Sequence, residues 1–269
     1  MAAKGIPSVY KKYAMCVDKV FIIFSFKAND MRKIYLLTLF VASLATSCDL
    51  MFRKTVHGNG KLTSQERSVS NTERIKSMGN FNIDIVRGSP SSVKIEADEN
   101  LIPYIITENG EGKLIIRTRE GYNLSSNNKI KVTVTTDKLE EVELEGSGNV
   151  NGVGKFSGAD HLKVSVAGSG DINLSANAPE MESSIAGTGN ITLSGETKSS
   201  KIEIAGVGDY KAEDLMSENV EIHIAGSGNA RVYAENNLDI HIAGSGDVFY
   251  KGNASVKQEI AGSGKIRKE

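Results

Sequence analysis

The chain has 269 residues, room for one large domain or two small ones, and its charge is balanced, with 32 Lys and Arg against 33 Asp and Glu. That balance excludes a protein held to nucleic acid by a basic excess. With 27 Gly, 4 Pro, no Trp and 6% aromatics, a core must be built in thin layers of branched aliphatic side chains, and 39% hydrophobic residues exclude wholesale disorder.

Residues 1–30 carry an apolar stretch, Val20–Phe26, with no cleavage logic. They read as an over-called upstream segment, with Met31 as the true start and Cys16 left out of the mature protein. Residues 31–47 read as a lipoprotein signal peptide: a basic Met31-Arg32-Lys33, an apolar run Ile34–Leu44, then Ala45-Thr46-Ser47 before Cys48. The run is shorter than the ~20 apolar residues of a spanning helix. Small residues before Cys48, with Leu44 four positions ahead, resemble a lipobox, so Cys48 is expected to carry lipid and become the mature first residue. An ordinary signal peptide with an incidental cysteine is the plainer alternative. Asp49 alone does not decide the membrane face, and residues 48–64, polar and glycine-containing, are expected to be a tether.

Residues 65–140 alternate apolar and polar side chains over Phe81–Val86, Ser92–Glu96, Leu114–Arg117 and Ile130–Val134, which predicts strands. Asp98–Ile102 is expected to open a short helix halted by Pro103. These segments read as larger, less regular coils continuous with the carboxyl-terminal half; a separate small β-domain is the alternative.

From Glu145 one motif recurs seven times. Its copies begin at Glu145, Ala167, Ala186, Ala205, Ala225, Ala243 and Ala261, each reading x-Gly-Ser/Thr/Val-Gly-Asn/Asp/Lys, with spacings of 22, 19, 19, 20, 18 and 18. A fixed period near twenty marks a solenoid. Before each motif the residues alternate, as in Ile202-Glu203-Ile204 and Ile222-His223-Ile224, so the repeat is built of strands. If coils stack in parallel, equivalent residues lie ~4.8 Å apart. The column four before the motif then reads Glu141, Lys163, Glu182, Lys201, Glu221, Asp239, Lys257, with signs that alternate almost coil by coil. Leu144, Val166, Ile185, Ile204, Ile224, Ile242 and Ile260 form one inner column; Val150, Ile172, Ile191, Tyr210, Ala230, Val248 and Ile266 form another. The basic end at Lys265–Lys268 blunts an open edge.

Few residues suggest chemistry. Asp171 and Asp209 would lie about 9–10 Å apart, near the carboxylate spacing of inverting glycosidases, yet both belong to the repeat, which favours hydrogen bonding at the coil corner. Glycine-rich repeats ending in Asp also occur in calcium-binding β-rolls, but this period is not nine and half the positions are Asn. His223 and His241 share an outward column with Glu203 and Glu259, and are candidate metal ligands against the plainer reading of a solvated ladder. No serine sits in a nucleophile elbow, and no phosphate loop or dinucleotide fingerprint appears.

The signal and lipobox cysteine, the strand Phe81–Val86, Leu114-Ile115-Ile116-Arg117, Lys131-Val132-Thr133-Val134 and the repeated Ala-Gly-Ser-Gly-Asp/Asn motifs together resemble the head GIN domain family. This family of auto-transporter adhesins is abundant in Bacteroidetes, and the resemblance covers about residues 65–269. It implies an all-β, right-handed parallel β-helix with coils of 18–22 residues, larger and less regular in the amino-terminal half, in an exported protein. The family supplies no catalytic residues to carry over, and no auto-transporter barrel comes after the repeats, so anchoring falls to Cys48. The resulting expectation is a non-enzymatic envelope lipoprotein presenting a binding or adhesion surface to a glycan or protein ligand. It needs no cofactor, meets the membrane through lipid at Cys48, binds no nucleic acid, and sits on the outer membrane at its periplasmic face or the cell surface. A carbohydrate-active β-helix enzyme, lyase or hydrolase, and a self-assembling scaffold are the alternatives.

Overall fold

A computed structural model describes residues 53–269. The expected upstream segment, the signal peptide and Cys48 therefore lie outside the described residues. Among the described residues no helix is long and apolar enough to cross a membrane.

The amino-terminal part contributes β1 (Lys54–His57), β2 (Leu62–Ser68), β3 (Arg74–Gly79), β4 (Asn82–Arg87), β5 (Ser92–Asp98), β6 (Ile105–Gly110), β7 (Lys113–Thr118), β8 (Tyr122–Ser125) and β9 (Lys131–Thr136). The repeats begin with β10 (Glu141–Gly146) and β11 (Asn149–Ser157). Nineteen strands make one continuous sheet, while β1 pairs in parallel with β8 apart from it. Part of the expected tether is thus paired strand: β1 and the start of β2 lie within residues 48–64. The helix expected at Asp98–Ile102 is instead a 3-10 turn over Ile102–Tyr104, with Pro103 inside its first turn, where a missing N–H costs no bond.

From β10 onward the coils lie directly on one another, every one in parallel register. The column before the motif pairs as expected, Glu141 with Lys163, Lys163 with Glu182, Glu182 with Lys201, Lys201 with Glu221, Glu221 with Asp239 and Asp239 with Lys257. The ammonium of Lys201 closes on Glu203 in its own strand at 2.8 Å. That bond first, with Glu221 and Glu182 on the neighbouring coils adding charge, pushes Lys201 above its ordinary value. Lys257 and Asp239 meet across coils at 3.0 Å. The inner columns are buried as the alternation demands, except on the last coil, where Ile260 is 38% exposed and Ile266 is half-buried. Burying each Ile or Val contributes ~1.5–3 kcal/mol, which makes these columns the main source of stability.

The position closing each motif has a specific task. The side-chain oxygen of Asn149 accepts from the backbone N–H of Asp171, Asp171 from Asn190, Asn190 from Asp209, Asn229 from Asp247 and Asp247 from Lys265, at 2.8–3.4 Å. The ladder strands leave these N–H groups free at the corner, and a short Asn or Asp reaches the next coil to satisfy them.

The amino-terminal coils depart from the expected order. β3 and β4 do not follow one another up the stack from its end. They are layered between β7 and β9 on one side and β10 and β11 on the other. Beyond β7 and β9 the sheet turns antiparallel: β6 pairs with β7, β5 with β9 and β2 with β5. The segment is continuous with the solenoid, but as an end cap threaded out of sequence rather than as larger coils in order. Register also shows that Gly79-Asn80-Phe81-Asn82-Ile83 is an eighth, altered copy of the motif, since Gly146 pairs with Gly79 and Asn149 with Asn82.

Tyr210 occupies an inner column and is fully buried, where Ser183 and Ser200 leave room for its ring. The three hydroxyls face one another without closing a well-aligned hydrogen bond, and burial pushes the Tyr210 phenol up. Removing that hydroxyl removes a desolvated polar group. Tyr210→Phe is therefore expected to change stability by no more than about 1 kcal/mol, in either direction, as measured by urea denaturation. A loss well beyond that would show a strong bond that this geometry does not have.

Candidate functional site

The residues singled out from sequence are placed as their columns require, and they are used structurally. Asp171 accepts from the side-chain amide of Asn190 at 2.7 Å and Asp209 from that of Asn229 at 3.0 Å. Asn190 stands between the two aspartates, so the pair does not flank an open cleft.

His223 and His241 are neighbours on adjacent coils, with ring centroids 4.8 Å apart and planes 5° from parallel. Each faces a carboxylate of its own strand: His223 Nε2 lies 2.6 Å from Glu221 and His241 Nε2 3.2 Å from Asp239, while His241 Nδ1 lies 3.4 Å from Glu259. A metal held by imidazole sits close to the ring plane at about 2.1 Å. Two stacked, parallel rings share no such point. Among the described residues no three His, Cys, Asp or Glu side chains come together to hold an ion. This column and the neighbouring alanines Ala186, Ala205, Ala225 and Ala243 border a shallow depression of about 560 Å³.

The amino-terminal coils carry a denser charge cluster. Lys76 bonds Glu143 at 3.0 Å and Glu145 at 2.6 Å, and Lys113 bonds Glu141 at 3.2 Å and Glu143 at 3.3 Å. Burial alone would raise Glu143, but Lys76 and then Lys113 hold it below the usual carboxylate range. Two ammoniums bridge three carboxylates on neighbouring coils, which fixes coil register.

A second concavity was not legible as a motif. It is a trough of about 730 Å³ away from the motif glycines, crossing the coils from Ser157–Asp160 to Tyr233–Glu235. Small side chains make its floor: Ala159, Ala178, Thr197 and Ser217 are all buried. Pro179 and Met216 flank them, and Met216 is 47% exposed. The floor hydroxyls are already used, Thr197 donating to the carbonyl of Pro179 at 3.1 Å and Ser217 to that of Leu215 at 3.2 Å. On the rim stand Asp160, Glu196, Glu218 and Glu235, with Lys198 among them and Lys155 reaching Glu196 from outside at 4.0 Å. Glu235 is fixed in place by the Tyr233 hydroxyl at 2.6 Å and Asn253 at 3.1 Å, and the Tyr233 bond first holds its carboxyl below the ordinary value. The available signal in the sequence was a run of small residues, one per coil, where coil length varies between 18 and 22 and the residue type changes from Ala to Thr to Ser.

Comparison with known proteins agrees with the architecture. A family described as "Putative auto-transporter adhesin, head GIN domain" matches residues 71–254. Among solved structures, a putative adhesin from Bacteroides fragilis superposes with a TM-score of 0.76 at 21% identity, covering 80% of this chain and 100% of that one. A putative adhesin from Parabacteroides distasonis gives 0.66 at 27% identity, with the same coverage. A putative lipid binding protein from the same organism gives 0.66 at 26% identity, again over 80% and 100%. No curated protein matches the chain.

Proposed function

The chain belongs to the head GIN domain family, and from that premise we propose that it is a non-enzymatic lipoprotein of the cell envelope whose rigid solenoid presents a surface for adhesion. The observation that carries this reading is the trough, a concavity that spans successive coils and is built from the repeat itself. Enzymes on β-helices need an irregular cluster of acid, base and binding groups; here the outward charges follow the repeat, and the candidate aspartates are taken up by corner hydrogen bonds. The acidic rim also sets this trough against a lipid with an anionic headgroup, although one similar structure is described as lipid binding. Anchoring through lipid on Cys48 follows from the small residues before it and the basic, then apolar, segment upstream.

The experiment is fractionation with protease treatment of intact cells. The wild-type chain is expected in the outer-membrane fraction and open to added protease. Cys48→Ala is expected to lose membrane association by about tenfold or more, since one or more acyl chains supply the anchor at ~0.8 kcal/mol per buried methylene. A wild-type chain inaccessible on intact cells would overturn the adhesion role. A Cys48→Ala chain that stays on the membrane would overturn the anchor.

A further inference from the structure

The trough selects for a particular chemistry. Its floor is apolar and its hydroxyls donate inward, so polar recognition falls to the rim. The rim offers four carboxylates, which only accept, against two ammoniums, Lys198 in the lining and Lys155 at 4.0 Å from Glu196. A neutral glycan brings donors and acceptors in similar number and would leave much of its hydrogen bonding unmet. A ligand rich in cationic donors meets the rim fully, and its methylene stems can lie on Ala178, Pro179 and Met216. The dimensions add a second constraint. The trough crosses five successive coils, about 19 Å at ~4.8 Å per coil, which an extended peptide covers with about six residues.

We infer that this trough binds an extended, Lys- or Arg-bearing segment of a partner protein, its cationic heads on Asp160, Glu196, Glu218 and Glu235 and its stems on the floor. The inference rests on the adhesion reading above and names the class of partner that reading leaves open. Glu235, held by Tyr233 and Asn253, is the preorganised contact at one end. Exposed Glu218, and Glu196 with Lys155 at 4.0 Å, supply the middle, and Asp160 the other end.

The test titrates the full chain with a fluorescent alternating Lys–Ala peptide of about six residues, alongside the same peptide with acetylated lysines and a neutral oligosaccharide. Expected is binding of the Lys–Ala peptide alone, weakened about tenfold or more between low salt and about 0.3 M salt. Glu218→Gln with Glu235→Gln, and separately Asp160→Asn with Glu196→Gln, should each reduce affinity about tenfold. Glu221→Gln, on another face, should leave it unchanged. These side chains are solvent-facing, so the variants should melt with wild type; two separate pairs guard against one that does not. The inference is overturned if the acetylated peptide binds equally, if Glu221→Gln weakens binding as much as the trough variants, or if the Lys–Ala peptide does not bind. Oligosaccharide binding that both pairs leave untouched would also overturn it while sparing the adhesion role. Failure of surface exposure, read in the protease experiment, strikes the adhesion role itself.

Discussion

Gly187→Val is expected to lower stability by more than about 4 kcal/mol, enough to prevent folding in a protein of ordinary stability. Gly187 has φ +126°, and a Cβ there would fall inside the carbonyl oxygen of Gly168 on the preceding coil. That oxygen already accepts from Thr188 at 2.9 Å and Gly189 at 3.1 Å, so it cannot turn aside without losing both bonds. Two controls separate the causes. At Gly208 φ is not positive, and an added Cβ meets the carbonyl of Gly189 and lies 2.8 Å from Ile185 Cγ2, so Gly208→Ala isolates the clash. At Gly60 φ is +77° with nothing within 4 Å, so Gly60→Ala isolates the backbone strain and should cost about 1 kcal/mol. Urea melts of the three are expected in the order Gly187→Val, Gly208→Ala, Gly60→Ala, the first being the least stable. A Gly187→Val midpoint equal to wild type would end the close-approach account of the motif.

Phe81→Ala is expected to cost about 3–5 kcal/mol, the range for truncating a fully buried aromatic. Phe81 is 1% exposed and stands on the coil below Gly148, where later coils carry the second glycine of the motif. Below Phe81 the chain leaves the stack: after β7 it runs out through β8 before returning as β9, and no glycine corner continues the column. The ring lies beside Gly79 and Thr118. Phe81→Gly restores the motif but deletes the filling, so it should destabilise at least as much as Phe81→Ala. Were Phe81→Gly as stable as wild type, the altered copy would be a neutral variant rather than a plug.

Where the sequence is regular it is also legible. The period, the alternating charges of Glu182, Lys201 and Glu221, and the aliphatic columns allow one register, because slipping a strand by a residue turns every buried Ile to solvent. The amino-terminal half is legible only as strands. Alternation in Ser92–Asp98 and Lys131–Thr136 says which face is buried but nothing about direction, so the antiparallel cap and the position of β3 and β4 stay hidden. The altered motif at Gly79 is masked because Phe81 replaces its second glycine. Hydrogen-bonding roles at Asn149–Asp247 can be read from their column, whereas the trough cannot: it is made by what the corner lacks, small residues of varied type whose shared depth only stacking reveals.

The layering of β3 and β4 inside the stack bears on how the chain acquires its structure. Successive repeats join partners 18 to 22 residues apart, so each coil can zip onto the last with a modest loop-closure cost. Asn82, in contrast, must meet both Lys131 and Asn149, and the first-made strands stay uncovered on two sides until those later segments arrive. The amino-terminal end is thus the non-local, slow-closing part of an otherwise local topology. Synthesised first, it completes last, and the later repeats provide the template on which it closes.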